Sequence, residues 1–417
     1  MSGLLNYPKL RWPLDINLRV VDGQKALVMS CPLGISPNPL ALNPVVSPLL
    51  SLMDGKHSVD QITERFRTQG LDRATVVELV EILDNALFLD TDRYKEAEKI
   101  SKTEFARAEV RPAALAGLSY PASKQDLEFE IDRYLACSKR EIKGSKNEEL
   151  IGLVSPHIDY RRGGVCYGIT YSHLKGHRHD LYILIGTSHQ YSELMFHMTM
   201  KDFATPLGIL KCDKSFVTDL AKLYGYRRSF ADELLHKKEH SLELQTPFLA
   251  RTVKNPVIVP ILVGSFYPII QSGKQPDEYA EYSDFVAALS ECMRLRISQG
   301  QKICIIAGVD MAHVGRSFGD SGALSEKFMR DIEGRDKIYL DSIVSQDKAR
   351  LFSHIVEDND RRRVCGFPTM YTVIDLYDKL GINYSSSIYD YRQAVDYQSD
   401  CAVTFAGMGL YLNEAEH

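Results

Sequence analysis

The sequence predicts an α/β fold: a largely parallel central sheet flanked by helices, with a small N-terminal α+β domain of winged-helix-like character. Three observations lead there. Apolar, β-branched runs recur at "IGLVSPH", "LYILIG", "PVIVPILVG", "KICIIAGVD" and "CAVTFAGMGLY", as strands buried on both faces do. Helical stretches separate these runs, and strands alternating with helices imply a parallel sheet covered on both sides. The length of 417 residues exceeds one ordinary core, so a small and a large domain are expected.

Composition narrows the class. Charged residues make up 25% and hydrophobic residues 44%, as in an ordinary globular protein. A net charge of -5 offers no footprint for nucleic acid. No apolar stretch approaches the roughly 20 residues that span a bilayer, so no membrane insertion is expected. The opening "MSGLLNYPKLRWPLD" lacks the apolar core and cleavage site of a secretory signal. The 8 cysteines form no CxxC pair, which fits a reducing, cytoplasmic setting with most of them buried.

The N-terminal domain is expected over residues 1–92. "NLRVVDGQKALVMSC" reads as a hairpin around Asp22-Gly23. "PVVSPLLSLMDG" reads as a helix closing at Gly55. Ser58 caps "VDQITERFRTQG", where Val59, Ile62 and Phe66 share a face. Thr75 to Leu87 forms a third helix. The middle helix mixes Asp60 and Glu64 with Arg65 and Arg67, so it presents no basic face for DNA. A charged stretch without Gly or Pro, "TDRYKEAEKISKTEFARAEV", reads as a solvated helical linker over 93–110. The large domain is expected over 111–417, with helices at 213–224, 242–253, 282–296, 323–332 and 367–380.

Polar residues fall at the strand ends. "IGLVSPH" ends at His157, "LYILIGTSH" at His189, and "KICIIAGVD" at Asp310 with His313 three residues on. Ligands collect outside the carboxyl ends of such strands, so one rim is expected to receive all of them. The alternative for each is a hydrogen-bonded structural histidine or a turn aspartate. His240 opens an amphipathic helix in "KKEHSLELQTPFLA", where a helix N-terminus lowers an imidazole pKa. It is either a neutral donor beside a site or a first-turn residue bonding its own backbone. Cys365 in "RRRVCGFPTM" precedes a helix, which together with Arg361 to Arg363 favours a thiolate; the alternative is a small buried hydrophobe. His173, His177 and His179 in "YSHLKGHRHD" read as a polar, solvated loop. His57, His197, His236, His354 and His417 have no supporting context.

The series "AGLSYP", "SPHIDYRRGG", "GTSHQ", "EHSLELQTPFL", "VPILVG", "GVDMAHVG" and "CGFPTM" resembles the Memo family, the second component of the AmmeMemoRadiSam system, over about residues 111–413. The resemblance implies the fold of LigB-type class III extradiol dioxygenases. It also implies a metal site of two histidines and a cysteine, here His157, His189 and Cys365, holding iron, with copper or zinc as alternatives. Asp310, His313 and His240 match residues lining that pocket, where they would act as acid, base or orienting groups. Two imidazoles and a thiolate suit iron or copper better than magnesium or calcium. The chain departs from the family in Asp159, where Gly is usual, and in Val309, where Ser often stands. "LLSLMDGKHSVDQITERF" with "LDNALFLD" resembles the PqqD-like family, which implies peptide binding. Radical-SAM and other AmmeMemoRadiSam proteins are the partners implied. Two functions compete: a metal-dependent oxidoreductase or maturation factor, and a non-catalytic peptide- or protein-binding adaptor. Metal storage fits the same ligands.

Overall fold

The computed structural model describes residues 3–138 and 149–413; His417 lies outside them. The chain divides into two units, Met1–Ala108 and Glu109–His417.

The first unit has a three-stranded antiparallel sheet of β1 (Asp15–Val21), β2 (Gln24–Ser30) and β3 (Leu40–Leu42). Asp22 and Gly23 both adopt positive φ, 51° and 78°, as a tight hairpin turn requires. Helices Val59–Phe66 and Arg73–Asn85 follow. Ser58 and Gln61 form a reciprocal capping box on the first of these, satisfying two otherwise orphaned amides. Met29, Val59, Ile62, Val76, Val80, Leu83 and Phe88 close the core.

The stretch expected as a solvated helical linker is a helix, Asp92–Arg107, but one with Tyr94, Ser101 and Phe105 buried. Thr91 Oγ1 donates to Asp84 at 2.6 Å and Arg93 to Asn85 at 2.6 Å. These bonds tie the helix to the one before it, so the first unit runs to 108.

The second unit holds β4 (Val110–Arg111), β5 (Leu150–Ser155), β6 (Leu181–Thr187), β7 (Phe196–Met198), β8 (Asp202–Thr205), β9 (Gly208–Cys212), β10 (Val257–Val263), β11 (Ile303–Gly308), β12 (His313–Val314), β13 (Tyr384–Asp396) and β14 (Cys401–Leu412). They form one sheet in the order β12-β14-β5-β11-β6-β10-β9-β8-β4, with β13 on β14 and β7 on β10. β5, β11, β6, β10 and β9 run parallel. Helices Lys214–Tyr224, Ala280–Ser298 and Phe367–Leu380 supply Phe216, Phe285, Met370 and Val373 to a core shared with Ile183, Ile261 and Ile305.

β14 was grouped with the parallel strands but runs antiparallel to β5. The segment 397–400 joins it directly to β13, and so short a connection can only reverse the chain. The histidine-rich stretch is not a solvated loop either. His173 is buried and stacked on Tyr389 with centroids 3.6 Å apart, and His179 Nε2 lies 2.6 Å from the Leu150 carbonyl. No helix among the described residues is long and apolar enough to cross a membrane.

Candidate metal centre

β5, β11 and β6 are neighbours in register: Gly308 aligns with Ser155 on one side and with Gly186 on the other. Each strand exits at the same rim within two or three residues of a polar side chain. His157, Asp310 and His189 therefore meet there. Cys365 arrives from the other direction, on the turn before helix Phe367–Leu380. Thr187 Oγ1, at the end of β6, holds the Cys365 carbonyl at 2.9 Å.

Donor atoms of His157, His189 and Cys365 all lie within 4.8 Å of one another and could hold a metal ion. His157 Nε2 is 3.2 Å from Cys365 Sγ. His157 Nδ1 is 3.0 Å from the Gly308 carbonyl. A carbonyl only accepts, so Nδ1 carries the proton and Nε2 keeps its lone pair. His189 Nδ1 is 2.9 Å from Glu239 Oε1, which fixes the same tautomer in the same way. Metal-ligating histidines have this outer pairing as a rule.

His240 and Glu239 complete the cluster. The His189 and His240 rings stack with centroids 4.3 Å apart, and the His157 ring is 5.2 Å from that of His240. Glu239, His189 and His240 form a second group whose donor atoms are within 4.8 Å of one another. The short helix His240–Glu243 sits directly on the sheet because Gly308 lacks a side chain: a Cβ there would lie 2.5 Å from the Ser241 carbonyl oxygen. Behind this helix, Arg111 and Glu243 form a fully buried ion pair at 2.6 Å. Arg111 Nη2 also donates to the Glu239 carbonyl at 2.9 Å, and Tyr120 to Glu243 at 2.6 Å. The "AGLSYP" motif therefore braces the segment that carries Glu239 and His240.

Sequence reasoning missed Glu239 and Arg111. In "KKEHS" a glutamate among lysines reads as solvated, yet it is 7% exposed. The available signal was its position beside His240.

Charge, burial and hydrogen bonding bear on the expected states of these residues. His240 was expected to be lowered by its helix terminus. Burial does lower it, but the Glu239 carboxylate outweighs that and leaves it raised; a one-turn helix adds little dipole. Cys365 was expected to be a stabilised thiolate. Burial pushes its thiol well above the usual range, with the Asp310 charge adding to this. Asp310 and His313 were expected to act as acid, base or orienting groups, and the structure gives them separate partners. Asp310 Oδ1 accepts the His157 amide at 2.9 Å, and its Oδ2 is 3.7 Å from His157 Nε2. His313 Nδ1 is 3.1 Å from the carbonyls of Met311 and Arg363. Its amide donates to the Arg362 carbonyl at 2.7 Å. His313 thus clamps the turn leading to Cys365.

Other shifts follow burial and charge. Burial pushes Asp310 up to about 7 and His313 down to about 4. His157 falls well below its usual range, by burial and by the neighbouring His189 and His240. Burial would raise Glu239, but His189 and His240 hold it well below the carboxylate range. A cleft of about 140 Å³ opens beside His189 and Cys365, walled by Phe266, Ile270, Val364, Phe367 and Pro368.

A largely parallel α/β sheet whose rim gathers two histidines and a cysteine that could hold a metal ion defines a class of scaffold. Within that class the chain belongs to the Memo-like family: the family described as "Memo-like protein" matches residues 111–409. A "MEMO1 family protein" of Aquifex aeolicus is 29% identical over 392 residues, 93% of this chain and 96% of the relative. That match necessarily takes in most of the first unit. A "MEMO1 family protein" of Archaeoglobus fulgidus is 28% identical over 62% of this chain and 83% of its own length. One from Methanosarcina mazei is 28% identical over 66% of this chain and 88% of its own.

Proposed function

We propose that the chain binds one transition-metal ion through His157, His189 and Cys365 for a redox or modification reaction. Iron or copper is the metal favoured, with zinc as the alternative. The supporting observation is that both imidazoles have Nδ1 engaged by an acceptor, Gly308 or Glu239, leaving two Nε2 lone pairs beside one sulfur. Such a donor set suits a borderline or soft cation. Bound there, the metal would supply redox or Lewis-acid chemistry.

The chain's own groups have the remaining roles. Glu239 orients His189 and His240. His240, raised by that carboxylate, carries a proton at the rim. Asp310, pushed up to about 7, holds or releases one beneath His157. The apolar walls around the cleft keep water scarce beside Cys365. A radical-SAM protein and the other AmmeMemoRadiSam components are the proposed partners, in the cytoplasm.

The adaptor reading is favoured by one observation. β1 is an edge strand exposed along its whole length, with Leu18 59% and Val20 71% exposed. Exposed edges accept further strands, which fits peptide capture by a PqqD-like module. Anaerobic purification with metal analysis separates the readings. One bound iron or copper that reacts with dioxygen supports the redox role; a metal-free chain that binds peptide supports the adaptor.

A further inference from the structure

The open edge of the first unit carries a pattern that is complementary to itself. β1 ends the three-stranded sheet on one side. Val21 and Gln24 flank the tight turn at Asp22-Gly23 and pair directly, so they form a hydrogen-bonded pair. Counting back along the strand, Arg19, Asn17 and Asp15 also direct their backbone groups to β2. Ile16, Leu18 and Val20 direct theirs to the open edge. The register runs unbroken from Asp15 with Ser30 to Val21 with Gln24. "DINLRVV" therefore has no bulge, and it holds neither the proline nor the lysine that commonly blunts an exposed edge.

The two faces of β1 differ in chemistry. Directly paired residues project to the same side of a sheet. Ile16 pairs with Met29 and Leu18 with Leu27, and Met29 and Leu27 belong to the core of this unit. Ile16, Leu18 and Val20 nevertheless stay 40%, 59% and 71% exposed. The core-facing side of the sheet thus ends in an uncovered apolar strip. Asp15, Asn17 and Arg19 occupy the other side and are exposed as well.

We propose that a second copy of the chain covers this edge, β1 against β1, antiparallel about a two-fold axis at Asn17. The free backbone groups sit on even-numbered residues, so a partner strand must set even against even. The register centred on Asn17 does so. Ile16 then faces Leu18 of the second copy, and Leu14 faces Val20, which continues the apolar strip across the joint. On the other side Asp15 faces Arg19 of the second copy, twice by symmetry, and Asn17 faces its own counterpart. The next registers, centred on Ile16 or Leu18, keep the backbone bonds but set Asp15 against Asn17 or Val21 and lose both opposite-charge pairs. Opposite charges directly across a sheet stabilise and like charges destabilise, so the charges select the Asn17 register. Such a contact is closed: it uses both open edges and leaves none for further growth. The inference concerns the first unit alone and is independent of the metal reading of the second.

The test uses the full chain. Sedimentation at about 1 to about 100 µM is expected to show a reversible dimer. Asp15→Arg sets cation against cation across the joint, and Arg19→Asp sets anion against anion. Each variant alone should dissociate at least about tenfold more readily, since both attractive pairs become repulsive. Mixed in equal amounts, the two variants should regain wild-type association as a heterodimer, because every charge pair across the joint is again opposite. A variant that had merely unfolded could not recover on mixing. Should either fold poorly, Asn17→Cys decides, made in a Cys137→Ser background because Cys137 is exposed. The axis sets position 17 against itself within disulfide reach, so mild oxidation should yield a covalent dimer that the background alone does not give. A wild type that stays monomeric throughout, as a chain whose β1 serves a peptide instead would, overturns the proposal. So does a dimer that neither charge variant weakens, a mixture that associates no better than its components, or an Asn17→Cys chain that forms no covalent dimer.

Discussion

Glu239 grips His189 twice: Oε1 lies 2.9 Å from the ring Nδ1, and Oε2 accepts the His189 backbone amide at 2.8 Å. One carboxylate thereby fixes the ring, its tautomer and the strand exit that carries it. The same oxygen Oε1 is 3.1 Å from His240 Nδ1 and accepts the Ser241 amide at 3.0 Å.

Glu239→Gln preserves the shape and removes the charge, so His189 loses its anionic orienting partner. Metal affinity is expected to fall about 10- to 100-fold, as for other outer-sphere partners, while the circular dichroism stays native. Metal titration of the variant checks this; unchanged affinity would remove Glu239 from the centre.

Gly366 lets the Cys365 turn press against the end of β11. A Cβ there would be 2.5 Å from the Asp310 carbonyl oxygen and 2.7 Å from Val309 Cβ. Gly366→Ala is therefore expected to displace Cys365, lowering metal occupancy and costing about 1–3 kcal/mol of stability. Denaturant unfolding and metal analysis of the same preparation measure both effects.

The strand ends were legible because apolar runs stop abruptly at His157, His189 and Asp310, and parallel neighbours place such stops at one rim. Cys365 was legible through its motif, because its meeting with the histidines is a tertiary event. Asp310 and His313 take different partners for a local reason. After Asp310 the chain is drawn into β14: Met311 donates to the Thr404 carbonyl at 2.7 Å and the Thr404 amide to the Ala312 carbonyl at 2.9 Å. This sends His313 to the Arg363 turn. β13 was missed because half-exposed Ser, Tyr and charged residues in "YSSSIYDYRQAVD" carry no apolar run; its pairing with β14 supplies the strand.

Arg111→Met leaves Glu243 buried without its cation. Removing one partner of a buried pair is expected to cost about 3–5 kcal/mol, read as a fall in the unfolding midpoint. Because Arg111 also holds the Glu239 carbonyl, metal affinity should fall with stability. A stable variant with lost affinity would place Arg111 closer to the chemistry than its position allows.

His236 is buried, and burial pushes it down to about 3. It stays neutral in the fold and charges when the chain unfolds below about 6.5. Its contribution to stability is therefore full above that value and lost as pH falls toward about 3. Between pH 7 and pH 5 the loss is about 2 kcal/mol. His236→Gln should remove that increment, so the stability difference between wild type and variant should shrink by this amount from pH 7 to pH 5. An equal difference at both values would contradict the assignment.

The most direct measurement of the central claim is X-ray absorption on anaerobically loaded wild type and Cys365→Ala, with metal content determined for each. The expected result is one iron or copper per wild-type chain, with one sulfur and at least two imidazoles in its first shell, and loss of the ion from a folded Cys365→Ala. A wild-type shell without sulfur, or a Cys365→Ala chain that keeps full occupancy, would contradict it and leave Asp310 as the third ligand.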